Sequence, residues 1–154
     1  MAHWNTAPGA IMSSSLPATI DHPTIELRWA GGLRFESGRP QGPRVKVDGD
    51  GTTAPNPFDL LLAAIASCAC VDVVTILEKQ RTPPQTLEVR IEALRVDATP
   101  RRLAAATLHF RIAAAGTTIE KANRAVELAV TRYCSVRSSL DPATEVRWTV
   151  ELAD

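Results

Sequence analysis

One long apolar segment, from Leu60 to Leu77, constrains this chain more than any other feature of its sequence. Asn56-Pro57 precedes it and favours a helix start, because Asn caps the first N–H groups and Pro has no N–H to satisfy. Thr82-Pro83-Pro84 follows and stops a helix. The segment therefore predicts a helix from Asn56 to about Lys79. It is apolar on nearly every side, so we expect burial all round, in a core or an oligomer interface.

The apolar segment is too short for a membrane span. Its longest stretch, Leu60 to Val71, is about 12 residues long and ends at Asp72, whereas a bilayer requires about 20. We interpret it as a core helix. Residues 1–23 lack the basic and apolar regions of a signal peptide and predict a flexible extension. We therefore expect a cytoplasmic protein with one domain over residues 24–154.

The charge balance gives no reason to expect a nucleic-acid or membrane partner. Seventeen Lys and Arg residues match seventeen Asp and Glu residues, so the formal net charge is zero. A protein that binds nucleic acid or anionic lipid through electrostatics carries an excess of basic residues.

Alternating apolar and polar residues predict strands on both sides of the helix. The six predicted strands contain Leu27, Phe35, Val47, Val89, Phe110 and Trp148. A second helix is predicted from Thr117, whose spacing to Glu120 matches a capping box, as far as Cys134. A short helix or turn is predicted to follow through Leu140, where Asp141-Pro142 ends it. The order β-β-β-α-β-β-α-β lacks repeated strand-helix-strand units, which favours an α+β fold with antiparallel sheets.

Three cysteines are the residues with the most reactive chemistry. Taken alone, Cys68 and Cys134 are typical of small buried hydrophobic residues. In a cytoplasmic protein, however, a cysteine pair is more often reactive than structural. Cys70 points away from Cys68, because two helical steps rotate a side chain by about 200°. No metal site is predicted, since the histidines have no ligand spacing. They are His3, His22 and His109.

Two motifs resemble a known family. The segment APNPFDLLLAAIASC, residues 54–68, continues through Val71-Asp72-Val73-Val74 and ends at Leu77-Glu78-Lys79-Gln80-Arg81. It resembles the central helix of the OsmC/Ohr family, the osmotically inducible and organic-hydroperoxide-resistance proteins. Tyr133-Cys134-Ser135-Val136 resembles the second cysteine motif of that family. The resemblance extends from about Thr24 to Leu152 and is closest to the YhfA-like branch.

The resemblance implies a fold and a chemistry. It implies curved antiparallel sheets around a buried central helix, in an intertwined homodimer. Cys68 would be the peroxidatic cysteine, whose thiolate attacks an organic hydroperoxide and becomes a sulfenic acid. Cys134 would resolve the sulfenic acid as a disulfide, which an external dithiol then reduces without a cofactor. Cys70 would take no part.

The thiolate also needs a nearby cation, which the family supplies with an arginine held by a glutamate near the helix start. In the characterised peroxidases this glutamate lies ten positions before the peroxidatic cysteine, where this chain has Phe58. Asp59 is the nearest carboxylate. Arg34 is the first candidate for the cation, with Arg39 and Arg44 as alternatives.

Two functions follow from these observations. The first is a thiol-dependent peroxidase for organic hydroperoxides, with Cys68, Cys134, Arg34 and Asp59 in the site. The second is a non-catalytic stress or binding protein with a structural or vestigial cysteine pair, which Phe58 favours.

Overall fold

A computed structural model describes residues 24–153, and the predicted extension over residues 1–23 lies outside the described residues. The chain divides into two compact units, Met1–Lys46 and Val47–Asp154.

The first unit holds a small antiparallel sheet. Strand β1, Glu26–Trp29, pairs with β2, Arg34–Gly38. Gly31 and Gly32 in the turn between them have φ values of 95° and 57°, which favour glycine. Strand β3, Arg44–Asp48, runs across the unit boundary and completes the order β1-β2-β3. The three predicted strands are confirmed.

Helix α1, Pro57–Lys79, begins where the sequence predicts. The Asn56 side-chain oxygen accepts hydrogen bonds from the N–H groups of Phe58, at 2.8 Å, and Asp59, at 3.0 Å. The Asp59 carboxylate accepts from the Asn56 N–H at 3.0 Å. This reciprocal capping box fixes the first turn of the helix.

Within one chain α1 is buried along a single stripe, so burial all round is not reached in the monomer. Residues four apart form this stripe: Ile65, Ala69, Val73 and Leu77. On the opposite side Val71 is 66% exposed. At 23 residues α1 is long and apolar enough to cross a membrane, so the expectation from a stretch of about 12 residues does not hold for the whole helix. The core helices of soluble proteins pass the same test of length and composition. Its buried stripe agrees with the predicted core helix.

A second three-stranded sheet, in the order β4-β5-β6, packs against α1 and α2. Its strands are β4 at Thr86–Arg95, β5 at Leu103–Ala113 and β6 at Glu145–Leu152. The β4–β5 pair is antiparallel, but β6 runs parallel to β5, with Leu108 opposite Trp148. The expectation of purely antiparallel sheets is therefore wrong for this pair. Residue alternation reports which side chains are buried and does not report strand direction.

The first helical segment between β5 and β6 differs from the regular helix predicted as far as Cys134. Helix α2, Ile119–Leu128, is capped by Thr118 and not by the predicted Thr117. A π-helical turn, Ala129–Tyr133, follows α2 and is called the π turn below. After Cys134 comes the short helix α3, Ser135–Ser138.

A buried carboxylate organises the loop that leads into α1. Asp48 is 2% exposed and accepts hydrogen bonds from the Thr53 hydroxyl at 2.7 Å and the Thr53 N–H at 3.0 Å. The Thr52 hydroxyl and the Asp50 N–H also donate to it. These bonds, led by the Thr53 hydroxyl, hold the pKa of Asp48 well below its usual range.

We predict that Asp48→Asn lowers the urea midpoint of unfolding at neutral pH, because the neutral amide has one accepting oxygen where the carboxylate has two that accept hydrogen bonds. A depressed folded pKa stabilises the fold above the unfolded pKa of about 3.9, and this contribution is lost as the pH falls below it. The difference between the urea midpoints of wild type and variant should therefore be smaller at about pH 3 than at about pH 7. Asp50→Asn, at an exposed position of the same loop, is the control. An equal loss in both variants would contradict the assignment.

Candidate active site

Cys68 and Cys134 lie together although 65 residues separate them in the sequence. Helix α1 packs against both the π turn and α3, the elements that flank Cys134. The Cys134 sulfur is buried and lies 4.0 Å from the carbonyl oxygen of Ile65, three residues before Cys68 on α1. Cys68 itself is half-buried, and both thiols are free.

The π turn sets the position of Cys134. The Cys134 N–H donates to the Ala129 carbonyl, five residues earlier, at 2.9 Å. Cys134 then leaves the helix with extended backbone angles, φ −65° and ψ 99°, and α3 begins at the next residue. The Arg137 N–H donates to the Cys134 sulfur at 3.3 Å. Single π-helical turns inside helices occur frequently at functional sites.

Three neutral donors act on the Cys68 sulfur. Burial alone raises the pKa of the Cys68 thiol, but the Val136 N–H, the Cys134 thiol and the Ser135 hydroxyl lower it, and the net pKa shift is downward. The Ser135 oxygen lies 4.0 Å from the Cys68 sulfur. The charge of Asp72 acts in the opposite direction and raises the pKa.

The second thiol behaves in the opposite way. Burial is the main cause that raises the pKa of Cys134 to about 11. The Arg137 N–H lowers this pKa, whereas the hydrogen bond to Cys68 and the charge of Cys68 raise it further. Cys68 is therefore the first of the two to ionise, and a protonated thiol stays beside it. A thiolate next to a thiol is what a nucleophilic and a resolving cysteine require.

The third cysteine differs in its surroundings. Cys70 is half-buried, and burial raises the pKa of its thiol. A thiol with a raised pKa is a poor nucleophile at neutral pH.

The predicted cations belong to the first unit. Arg34 opens β2 and is exposed, and Arg39 is exposed in the loop after β2. Arg44 pairs with Glu26 at 2.8 Å and its side chain is only 17% exposed. Because a carboxylate already matches the charge of Arg44, Arg34 and Arg39 remain the better candidates. Their role in activating the thiolate stays a prediction.

Asp59 and Phe58 have observed contacts of their own. The Asp59 carboxylate belongs to the capping box of α1, and its part in holding a cation stays a prediction. The Arg95 guanidinium lies over the Phe58 ring, 4.2 Å from its centroid, in a cation–π contact. Sequence reasoning missed Arg95, because the end of β4 approaches the start of α1 only in the folded chain. It also missed Ser135 and Val136 as donors, although both lie in the quoted cysteine motif.

A metal centre has no support within residues 24–153, where no three His, Cys, Asp or Glu side chains are grouped closely enough to hold an ion.

We predict that Asp72→Asn lowers the pKa of Cys68, because it removes the negative charge that opposes the thiolate. The midpoint of the pH profile for iodoacetamide alkylation should move to lower pH, with roughly two- to threefold faster reaction below the midpoint. Glu78→Gln removes the same charge from an exposed position further along α1. Equal shifts in the two variants would contradict a specific effect of Asp72.

Comparison with known proteins supports the assignment of the fold. Residues 49–149 match the family model of the OsmC-like protein. Protein YhfA of Escherichia coli (strain K12) is 32% identical over 127 residues, which cover 82% of this chain and 95% of YhfA.

Solved structures agree with this match. The OsmC-like protein of Mycoplasma pneumoniae aligns with a TM-score of 0.75 and 14% identity, over 88% of this chain and all of that chain. An organic hydroperoxide resistance protein OsmC from Legionella pneumophila aligns with a TM-score of 0.64 and 17% identity, over 87% of this chain and 99% of that chain. The family model and the identity with YhfA carry the conclusion, and the structures show the same α+β fold. This chain belongs to the OsmC/Ohr family.

Proposed function

We propose that this protein is a thiol-dependent peroxidase that reduces organic hydroperoxides. The observation that carries the proposal is the placement of the Cys134 segment against the helix turn that holds Cys68. The Cys134 sulfur lies 4.0 Å from the Ile65 carbonyl oxygen, and the neighbouring Ser135 Oγ lies 4.0 Å from the Cys68 sulfur. The pKa values of the two free thiols are shifted in opposite directions, down for Cys68 and up for Cys134. The family includes organic-hydroperoxide-resistance proteins, as the Legionella protein is described.

The two thiols together supply the two electrons that reduce one hydroperoxide. The Cys68 thiolate attacks one peroxide oxygen, the O–O bond breaks, and the alkoxide takes a proton to leave as an alcohol. Cys68 becomes a sulfenic acid. The Cys134 sulfur, after losing its proton, attacks the sulfur of that acid, a disulfide forms, and water leaves. A dithiol reductant of the cytoplasm then returns both cysteines to thiols by exchange.

The surroundings of Cys68 favour organic substrates. Leu61, two turns earlier on α1, is half-buried. Apolar side chains of this kind bind alkyl groups better than they bind hydrogen peroxide.

A second candidate is a non-catalytic member of the family with a vestigial cysteine pair. Phe58 favours it, because the family peroxidases have there the glutamate that holds the activating arginine. In this chain the Phe58 ring instead makes a cation–π contact with the guanidinium of Arg95. The two candidates differ in whether organic hydroperoxide consumes the thiols of Cys68 and Cys134.

We predict that one equivalent of cumene hydroperoxide consumes two thiols and leaves that of Cys70 free. Cys68→Ser should abolish peroxide consumption, because it removes the nucleophile. Cys134→Ser should stop at the sulfenic acid and then over-oxidise, because the resolving thiol is missing. Thiol titration and mass spectrometry of the intact chain measure both outcomes.

Cys70→Ser is the matched control, since it removes a thiol two residues from Cys68 and should leave turnover with a dithiol unchanged. Peroxide consumption that survives Cys68→Ser, or a disulfide that contains Cys70, would exclude these roles. Thiols that stay intact in the wild type would favour the non-catalytic candidate.

We also propose that the protein is a homodimer. Each unit leaves an apolar face exposed: Val71 on α1 is 66% exposed, and Leu27 and Trp29 on β1 are 61% and 72% exposed. Exposed apolar surface of this kind favours association. A two-fold axis would let each copy cover the same face of the other.

We predict that Val71→Asp shifts the protein toward monomers, because a buried charge at such an interface lacks a partner. Sedimentation velocity should give the mass of two chains for the wild type at micromolar concentration and a lower mass for the variant. Asn123→Asp adds the same charge at an exposed position of α2 and should leave the mass unchanged. A wild-type mass of one chain would contradict the dimer.

A further inference from the structure

A hydroxyl group that has no role in the proposed reaction lies beside Cys68. Ser135 follows the resolving cysteine directly, is exposed, and places its Oγ 4.0 Å from the Cys68 sulfur. The Cys134 thiol acts on the same sulfur. Two consecutive side chains therefore face the nucleophile from one segment.

The local backbone explains this placement. The π turn ends at Tyr133, Cys134 is extended, and Ser135 opens α3. The Ser135 carbonyl accepts from the Ser139 hydroxyl at 2.9 Å and from the Ser139 N–H at 3.1 Å. These bonds fix the backbone of Ser135, while its own hydroxyl contacts Cys68.

The charges around Cys68 make such a donor useful. From α1 and from the Cys134 segment, the titratable groups that act on Cys68 are Asp72 and Cys134. Asp72 is negative and disfavours the thiolate, and Cys134 is a protonated thiol. A hydroxyl that donates to an anion forms a charge-assisted bond, which is shorter and stronger than a bond to a neutral thiol. The contact should therefore tighten when Cys68 ionises.

We propose that the Ser135 hydroxyl is a catalytic group of this site, which donates a hydrogen bond to the Cys68 thiolate and stabilises the negative charge on the attacking sulfur. The inference rests on the Cys68 nucleophile of the proposed peroxidase. The donor loses its charged partner when the sulfur takes up the peroxide oxygen and becomes a neutral sulfenic acid. The Ser135 hydroxyl therefore increases the fraction of Cys68 that is present as the reactive thiolate.

The test is the pH profile of Cys68 alkylation in the full-length chain with Cys70→Ser, which retains the Cys134 donor. Mass spectrometry of peptides assigns the modified cysteine. In Ser135→Ala the midpoint should move to higher pH, and alkylation below it should slow roughly three- to tenfold, because a thiolate fraction changes tenfold for each unit of pKa. The rate at high pH should stay within about twofold, since the thiol is then ionised in both chains. Cumene hydroperoxide consumption below the midpoint should slow in parallel.

Two further variants separate a donor from a structural effect. Ser135→Thr retains a hydroxyl and should restore most of the wild-type profile. Ser138→Ala removes an exposed hydroxyl from the same short helix and should leave the profile unchanged. Unfolding midpoints of all variants check that the fold is retained.

The proposal is overturned if Ser135→Ala and Ser138→Ala give the same midpoint, or if Ser135→Thr behaves like Ser135→Ala. A wild-type chain that consumes no peroxide, but shows the predicted alkylation shifts, would reject the peroxidase and leave the role of Ser135 in thiolate stabilisation intact. The two proposals therefore fail separately.

Discussion

The structure of the site depends on the packing of one stripe of α1 into the core. Ile65, Ala69, Val73 and Leu77 are almost completely buried against the second sheet, α2 and the segment that follows it. Cys68 immediately precedes Ala69, so the stripe holds one side of the cysteine against protein while the other side stays open. The same packing brings the Cys134 sulfur to the Ile65 carbonyl. Apolar burial, which has no direction of its own, here fixes the relation of two polar groups.

The surroundings of the two cysteines shift the pKa values of their thiols in opposite directions. Hydrogen-bond donors converge on Cys68, whereas burial dominates at Cys134. The asymmetry follows from position, because Cys68 lies at the edge of the buried stripe and Cys134 beneath the surface. The chain thus distinguishes the two thiols by exposure and neighbours, without a different residue type at either place.

Sequence patterns that span only a few residues predicted the helix cap and the strands of this fold. Asn56 and Asp59 form the expected capping box, and the strands appear where residues alternate, because both patterns act within a few positions of the sequence. The cap of α2 was displaced by one residue, since Thr117 and Thr118 are adjacent and equivalent in type. The parallel direction of β6 depends on the path of the whole chain, so alternation could not predict it.

In the site, too, local motifs were predictable from the sequence and contacts between distant residues were not. The cysteine motifs pointed to Cys68 and Cys134, and the fold brings both together. The donors at Ser135 and Val136 and the contact of Arg95 with Phe58 arise from tertiary packing. Sequence spacing carries no information on such contacts, because the partners lie far apart along the chain.

The π turn places a limit on the length of the chain before Cys134. It contains one residue more per turn than an α-helix would, since the Cys134 N–H reaches back five residues to Ala129. With one residue fewer, the same segment would continue α2 as a regular helix, and each later side chain would be rotated by about 100°. Cys134 would then face away from Cys68. Deletion of one exposed residue of the π turn, Thr131, Arg132 or Tyr133, would separate the two sulfurs while both cysteines and the buried core residues remained present in the sequence.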